Sequence, residues 1–283
     1  MNDATSIDPH AVLITLGVSG ATSVTPVSGG RDTALWRVEH EGRSYALRVF
    51  QPEQLRMSQR EVQAMQLAAA HGMPVPRVRI SGVWNERPAL LLSWCAGTTV
   101  LEALQSRPPQ AEPLGQACGG MLASIHALTV PDEESDRAWL DWGGLSDEPL
   151  RHRLESIARH DRLLHLDYHP LNIMIEDDTI TGVLDWANAH AGDPRADLAR
   201  SRTILLLDAV EHMPEARPII EAFDRGLVAG YEAVAGPQPD MPLFYAWAGR
   251  VMLHDLRERL HEIPGQMERI EMWVERWLSG TEE

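Results

Sequence analysis

The sequence changes its hydrophobic periodicity near residue 97, and this change constrains the fold more than any other feature. Between residues 22 and 50, apolar and polar residues alternate in short runs, as they do in strands whose side chains point to opposite faces. After Val100, apolar residues recur at helical spacing, most regularly from Pro113 to Leu128. The sequence therefore predicts an α+β protein with a sheet-rich part, residues 1–95, and a mainly helical part, residues 96–283.

Turn signals divide the first part into short strands. A three-stranded antiparallel meander and two later strands are predicted, at residues 22–27, 33–39, 43–50, 78–83 and 89–94. Between the meander and the later strands lies a helix that begins at either Pro52 or Ser58 and ends at Gly72.

The second part contains fewer strand signals. Residues 131–147 are polar and irregular and are predicted to form a loop. Three short strands are predicted at residues 163–166, 172–176 and 179–184. Four helices are predicted beyond Asp197, at residues 197–207, 216–235, 241–261 and 264–278.

The charge composition narrows the class of partner. With a formal net charge of -16 at pH 7, most of the surface repels polyanions, so neither nucleic acid nor an anionic membrane is expected to bind. The same charge favours a cationic small molecule, although acidity that serves only solubility is the simpler explanation. All 25 Lys and Arg residues are Arg, which excludes chemistry that needs a lysine amine, such as Schiff-base formation.

The cysteine content and the amino terminus indicate a cytoplasmic protein. Cys95 and Cys118 are far apart and do not form a Cys-x-x-Cys pair, so a disulfide scaffold and a zinc knuckle are not supported. The first residues lack the basic start and the cleavage site of a signal peptide, and no apolar stretch is long enough to cross a bilayer.

The segment His165-Leu-Asp-Tyr-His-Pro-Leu-Asn172 carries the strongest chemical signal. Asp167 and Asn172 have the His-x-Asp-x-x-x-x-Asn spacing of a kinase catalytic loop, and Asp185 follows thirteen residues later. Phosphoryl transfer uses such a set: an aspartate that accepts the hydroxyl proton, and an amide and a second carboxylate that hold magnesium. We therefore predict catalytic roles for Asp167, Asn172 and Asp185.

The same segment allows a second interpretation. His165, Asp167 and His169 alternate along an extended stretch and could form, with Asp185, the site of a metal-dependent hydrolase. This alternative leaves Asn172 unexplained, and the sequence lacks a His-Glu-x-x-His motif. In the kinase interpretation His165 braces the loop and His169 is only a polar surface residue.

These motifs resemble those of the aminoglycoside phosphotransferase (choline kinase-like) family of the protein kinase-like superfamily. Residues 165–174 are similar to the family's His-Gly-Asp-x-His-x-x-Asn-Ile-Leu loop, with Leu166 where glycine is usual, and residues 182–199 are closer still. The resemblance implies a bilobal protein kinase-like fold, with an antiparallel sheet plus a helix in the N-terminal lobe and a mainly α-helical C-terminal lobe. It also implies that ATP, or another nucleoside triphosphate, binds with Mg²⁺ in the cleft.

The resemblance assigns roles to residues around the catalytic segment. Asn172 and Asp185 are expected to bind Mg²⁺, while His165 and Asp197 support the catalytic loop. For Asp197, an ordinary helix N-cap is an alternative role that the spacing leaves open. By the same resemblance, Ser93 and Cys95 contact the adenine edge at a hinge, although a buried strand that leads into a turn explains their spacing equally well.

A glycine pair and a charged pair complete the predicted nucleotide site. Ser28-Gly29-Gly30 resembles the loop that covers the phosphates, although a hairpin turn has the same sequence pattern. Arg48 stands where the nucleotide-binding lysine is usual, and its guanidinium can still pair with phosphate oxygens; the alternative is an exposed cross-strand charge. Glu61 is its expected partner, unless it closes a capping box that begins at Ser58.

The function implied is an ATP-dependent phosphotransferase that moves the γ-phosphoryl group to a hydroxyl of a small molecule. An aminoglycoside is the first acceptor to consider, and choline, homoserine, sugars and macrolides are alternatives. Because the usual lysine is replaced by Arg48, a non-catalytic nucleotide-binding protein of kinase shape is a further alternative. The sequence does not predict an oligomeric state.

Overall fold

The computed structural model describes residues 7–27, 33–131, 138–142, 148–257 and 263–280. The chain forms two compact units. The first unit extends to Gly97 and includes Thr181–Ala187, whereas the second contains Thr98–Ile180 and the chain from Asn188 onward. Asp185 therefore belongs to the first unit, while Asp167 and Asn172 belong to the second.

The first unit is built on a five-stranded antiparallel sheet. Its strands are β1 (Ser23–Pro26), β2 (Ala34–His40), β3 (Arg43–Val49), β4 (Val78–Trp84) and β5 (Arg87–Ser93), in the order β1-β2-β3-β5-β4. All five strands were predicted to within two residues, because each alternates apolar and polar residues or is continuously apolar between turn signals.

One core of the first unit joins the sheet to the amino-terminal helix α1 (Pro9–Thr15). Asp8 caps this helix by accepting the N–H of His10 at 2.9 Å, and Val12 and Leu13 are buried with apolar residues of the sheet such as Leu47. Helix α1 was not predicted from the sequence, since seven residues are too few to establish a helical period.

Helix α2 (Leu55–Ala70) follows β3 through a 3₁₀ turn at Pro52–Gln54. The side chains and backbone groups of Gln51 and Gln54 cap this turn reciprocally. Ser58 lies inside α2, where its hydroxyl donates to the carbonyl oxygen of Leu55 at 2.9 Å. The helical segment therefore begins at the earlier of the two predicted positions, and Ser58 does not start a capping box with Glu61.

The second unit is mainly helical. Its helices are α3 (Val100–Ser106), α4 (Ala111–His126), α5 (Ala138–Asp141), α6 (Glu148–Ile157), α7 (Pro194–Thr203), α8 (Val210–His212), α9 (Arg217–Ala235), α10 (Met241–Asp255) and α11 (Gln266–Ser279). A π-helical segment, Ile204–Ala209, links α7 to α8. The short strands are β6 (Thr98–Thr99), β7 (Arg162–Leu164), β8 (Ile173–Glu176), β9 (Thr179–Val183), which continues into the first unit, and β10 (His190–Gly192).

Three predictions for this unit need correction. The helix expected at residues 197–207 begins at Pro194 and becomes π-helical at Ile204. The helix expected to extend to residue 261 ends at Asp255. The predicted loop at 131–147 contains α5, whose Trp139 and Leu140 are fully buried. They belong to a core that also includes residues of α6, α7 and α10, called the main core below. Residues 132–137 and 143–147 lie outside the described part.

Helices α4 and α9 pack backbone against backbone. A Cβ atom at Gly119 would lie 2.0 Å from the carbonyl oxygen of Leu227, and one at Gly230 would lie 2.0 Å from that of Gln116. Only glycine permits so close an approach. This contact fixes the position of His126, the last residue of α4, relative to α9.

Candidate active site

Arg48, on β3 in the first unit, forms a network with three side chains. Its Nη1 lies 2.5 Å from Oε1 of Glu61, its Nη2 lies 3.0 Å from Oδ1 of Asp185, and its Nε donates to Oγ1 of Thr33 at 3.1 Å. The Arg48 side chain is only 13% exposed, so it is not the solvated cross-strand charge that the sequence allowed. A guanidinium suits this place because its planar donors can serve several acceptors at once.

Glu61 provides the buried end of this network and is 1% exposed. Burial raises the pKa of Glu61 to about 7, and the charge of Asp185 adds to this effect. The Arg48 cation and the backbone N–H of Trp186 act in the opposite direction. The charge of the Glu61 carboxyl group therefore depends strongly on whether Arg48 remains paired with it.

Asp185 lies in a tight turn after β9. Its φ of 57° is in the left-handed region, which aspartate tolerates better than most residues. The next residue, Trp186, is fully buried, and its Nε1 donates to the carbonyl oxygen of Val183 at 2.9 Å. The turn is thus anchored while the Asp185 side chain stays 41% exposed.

The structure describes two of the other residues that were predicted to bind the nucleotide, Ser93 and Cys95. The backbone N–H of Ser93 donates to the carbonyl oxygen of Arg77, and its hydroxyl accepts the N–H of Arg77 at 2.8 Å. The Cys95 thiol is partly buried, which raises its pKa to about 11, and it fills the space left by the missing side chain of Gly182. Ser28, Gly29 and Gly30 lie outside the described residues. Contact of these residues with a nucleotide stays a prediction.

In the second unit, the segment before β8 brings Asp167 and Asn172 together. Nδ2 of Asn172 donates to the carbonyl oxygen of Asp167 at 3.0 Å and to its Oδ2 at 3.1 Å. The Asp167 side chain is 28% exposed and so can be reached from solvent. The convergence of this pair with Asp185 stays a prediction.

His169 also contacts both of these side chains. Its Nε2 lies 3.5 Å from Oδ1 of Asp167 and 3.2 Å from Nδ2 of Asn172. The sequence interpretation of His169 as only a polar surface residue therefore missed these contacts. The signal was present in the sequence, because the resembling family's loop has histidine at this position.

Several charges set the pKa of Asp167. Burial alone would raise it, but the hydrogen bond and charge of His169, together with His165 and Arg200, hold the pKa below its usual value. Asp167 is therefore an ionised carboxylate, as a proton acceptor must be.

Asp197, on α7, holds the backbone of this loop. It is fully buried and accepts the N–H of His165 at 2.5 Å and the N–H of Leu166 at 2.9 Å. The N-cap of α7 is Asp193, whose side chain accepts the N–H of Arg195, so the N-cap role considered for Asp197 is wrong. His165 is also fully buried, and its Nδ1 lies 3.3 Å from the backbone N of Asp167.

Leu166 adopts an unusual conformation between these two anchors. Its φ is 60°, in the left-handed region where glycine is preferred, and its side chain is fully buried in the main core. The carbonyl oxygen of Leu166 accepts a hydrogen bond from Nε–H of Arg200 at 3.4 Å. Arg200, which the sequence analysis did not single out, thus helps Asp197 to hold the peptide that precedes Asp167.

The hydrolase alternative is not supported by the geometry. Within the described ranges, no group of three or more His, Cys, Asp or Glu side chains has an arrangement suited to a metal ion. The buried His165 ring faces the loop's own backbone, as the kinase interpretation requires.

Comparison with known proteins agrees with this geometry. The model of the phosphotransferase enzyme family (APH) matches residues 23–155 and 137–242. The chain belongs to this family. It is accordingly a small-molecule phosphotransferase that acts on hydroxyl groups. No curated protein matches the chain at a significant level.

Solved structures of other phosphotransferases share the fold at low sequence identity. A thermostable mutant of aminoglycoside phosphotransferase APH(4)-Ia, in ternary complex with AMP-PNP and hygromycin B, is 17% identical with a TM-score of 0.66, covering 96% of this chain and 99% of its own. A candidate fructosamine-3-kinase from Haemophilus somnus 129PT is 13% identical with a TM-score of 0.64, covering 95% of each chain. Macrolide 2'-phosphotransferase MphH from Brachybacterium faecium is 18% identical with a TM-score of 0.54, covering 97% of this chain and 99% of its own.

These likenesses show the bilobal protein kinase-like fold that the sequence motifs implied. Within the described part of this family member, no helix has the length and apolar character needed to cross a membrane.

Proposed function

We propose that the protein transfers the terminal phosphoryl group of ATP, or of another nucleoside triphosphate, to a small-molecule hydroxyl, with Asp167 as the general base. The observation that carries this proposal is the loop geometry around Asp167. Its carboxylate is accessible, its pKa is lowered, and its backbone and side chain are both held by Asn172. Asp167 can orient the acceptor hydroxyl and accept its proton as the bond to phosphorus forms.

Arg48 and Glu61 would bind the nucleotide from the first unit. The Arg48 guanidinium can pair with phosphate oxygens, and Glu61 would keep it oriented through the 2.5 Å contact. The glycine loop Ser28-Gly29-Gly30 would offer backbone N–H groups to the phosphates, and Ser93 and Cys95 would lie at the adenine edge.

Asn172 and Asp185 would hold Mg²⁺. An amide oxygen and a carboxylate are hard oxygen donors of the kind that Mg²⁺ prefers, so the residues present fit the ion. When bound, the ion would neutralise charge on the phosphates. His165 and Asp197 would maintain the loop that carries Asn172 and Asp167.

The acceptor proposed first is an aminoglycoside or a similar polyamine alcohol. The net charge of -16 favours a cationic acceptor. One structural neighbour binds hygromycin B, but other neighbours are a candidate fructosamine-3-kinase and a macrolide phosphotransferase. Choline, homoserine, sugars and macrolides are therefore the other acceptors to test.

The experiment is a screen for release of ADP from ATP, or of GDP from GTP, over aminoglycosides, amino alcohols, sugars and macrolides in the presence of Mg²⁺. Each positive acceptor is then analysed by mass spectrometry for a phosphate ester. The proposal predicts ADP release that depends on one acceptor class and a phosphorylated product in equal amount. Release of the nucleoside diphosphate without a phosphorylated acceptor would contradict it and indicate hydrolysis of the nucleotide by water. Nucleotide binding without turnover over the whole panel would contradict it and favour the non-catalytic alternative.

A further inference from the structure

A buried chain of hydrogen bonds connects α9 to the loop that carries Asp167. The hydroxyl of Tyr231 on α9 lies 2.8 Å from Nδ1 of His126, and Nε2 of His126 lies 3.0 Å from Oδ2 of Asp197. Asp197 in turn accepts the two loop amides. His126 and Tyr231 are 4% and 1% exposed, so water does not replace these bonds.

The Asp197 carboxylate determines which atom donates in its hydrogen bond with His126. An ionised carboxylate only accepts hydrogen bonds, so His126 must donate to Asp197 through Nε2–H. The other ring nitrogen, Nδ1, forms its hydrogen bond with the Tyr231 hydroxyl at 2.8 Å. Asp197 thus receives three donors that converge on it, two from the loop backbone and one from His126.

The peptide held by Asp197 would not keep its shape without support. Leu166 is a γ-branched residue at a φ of 60°, a conformation that costs roughly 1 kcal/mol or more for a residue other than glycine. Asp167 is the next residue, so rotation of this peptide moves its carboxylate directly. The orientation of the Asp197 carboxylate therefore determines where the proposed base points.

The helices that carry His126 and Tyr231 have little freedom to shift. Four glycines let the α4 and α9 backbones touch, and a Cβ atom at any of them would lie within about 2.2 Å of a backbone oxygen: Gly115, Gly119, Gly226 and Gly230. His126 is therefore presented to Asp197 from a rigid support.

We propose that His126 is a positioning residue for Asp167: its Nε2–H orients the Asp197 carboxylate, which holds the peptide preceding the base. This proposal rests on the proposed function, in which Asp167 accepts the acceptor's proton. His126 itself touches neither substrate nor nucleotide in this role.

The test compares two amide substitutions in the full-length protein, with the acceptor found by the screen. The amide nitrogen of His126→Gln reaches close to the Nε2 position and can still donate to Asp197, whereas that of His126→Asn reaches only the Nδ1 position. We expect His126→Asn to lower kcat about 10- to 100-fold with an unchanged KM for ATP, because a displacement of about 1 Å at a reacting group has this effect. His126→Gln should retain kcat within about threefold.

Two further variants make the result decisive. In an Asp167→Asn background, His126→Asn should cause no additional loss, because its effect passes through Asp167. Tyr231→Phe removes only the hydroxyl that orients the ring and should lower kcat about threefold, which provides a test if His126→Asn does not fold. Thermal unfolding of each variant separates loss of folded protein from loss of turnover.

The outcomes separate this proposal from the proposed function. Wild-type kcat in folded His126→Asn, equal losses in the Gln and Asn variants, or unchanged kcat in Tyr231→Phe would each overturn the role of His126. Wild-type turnover in Asp167→Asn alone would instead overturn Asp167 as the base, whatever His126 does.

Discussion

Each unit of the molecule buries a carboxyl group beside its proposed catalytic residues, and the two respond to burial in opposite ways. Glu61 in the first unit is 1% exposed, and its pKa is raised to about 7. Asp197 in the second unit is fully buried, yet its pKa is lowered. Burial raises the pKa of both groups, so the difference comes from their partners.

The partners differ in number and in kind. Asp197 receives His126 and two backbone N–H groups, with His165 close by, and these outweigh burial. Glu61 depends mainly on Arg48, a cation that it shares with Asp185. The comparison indicates that the loop carrying Asp167 is held by fixed donors, whereas the charge of the Arg48–Glu61 pair, which we propose binds the nucleotide, depends on what Arg48 contacts.

The largest expected effect is the cost of neutralising Asp197. Asp197→Asn turns one acceptor oxygen into a donor facing backbone N–H groups or His126, and should lower the free energy of unfolding by about 3 kcal/mol. Glu61→Gln, the matched change in the first unit, should cost less than about 1 kcal/mol at pH 7, where Glu61 is already partly protonated. Urea unfolding measures both, and equal losses would contradict the comparison.

The next largest effect concerns the packing of α4 on α9, the two helices that carry His126 and Tyr231. In Gly119→Ala the added Cβ would meet the Leu227 carbonyl oxygen at 2.0 Å, and the strain should lower the free energy of unfolding by roughly 2 kcal/mol. Gly120→Ala, one residue along α4, has 3.8 Å to its nearest neighbour and should raise it by about 0.5 to 1 kcal/mol. Similar values for the two variants in urea unfolding would show that α4 and α9 can separate freely.

The two carboxyls should also give opposite pH dependence. Glu61 titrates near 4.5 in the unfolded chain and near 7 when folded, so between these values the folded state binds more protons and stability falls as pH rises, by roughly 1 to 3 kcal/mol. Asp197 contributes stability above its unfolded value of 3.8 and loses it as pH falls. Urea unfolding of wild type against Glu61→Gln from pH 5 to 7.5 tests the first claim; parallel curves would refute it.

The smallest effect should follow Arg48→Lys. An ammonium group keeps the positive charge but cannot serve Glu61, Asp185 and Thr33 together, so kcat/KM for ATP should fall about three- to tenfold. Arg43→Lys, at the exposed start of the same strand, provides the control and should leave this value unchanged. A loss of the same size in both variants would remove the specific role of the guanidinium.

The sequence predicted those features whose signals are local. The strands of the first unit follow from alternation and turn residues. The motif spacing placed Asp167 and Asn172 in one loop, and the structure shows that their side chains are in contact. Glu61 was ambiguous because a capping box and a pair with Arg48 have the same local pattern, and only the start of α2 at Leu55 separates them.

The features that were not predicted depend on contacts between residues far apart in the sequence. The contacts of His126 follow no local pattern, because its partners Asp197 and Tyr231 lie 71 and 105 residues away in the sequence. The four-residue spacing of Gly115 with Gly119, and of Gly226 with Gly230, is a legible signal for close helix packing, yet it does not say which helix is the partner. The buried α5 was missed because four residues show no period.

The most direct test of the account is the turnover of Asp167→Asn with the identified acceptor, measured beside its affinity for ATP with Mg²⁺. Asp177→Asn, the same change at an exposed turn with a φ of 47°, is the matched control. If Asp167 is the base, kcat falls roughly 10²- to 10⁴-fold while ATP affinity is unchanged and the control behaves as wild type. Wild-type turnover in Asp167→Asn would contradict the central claim.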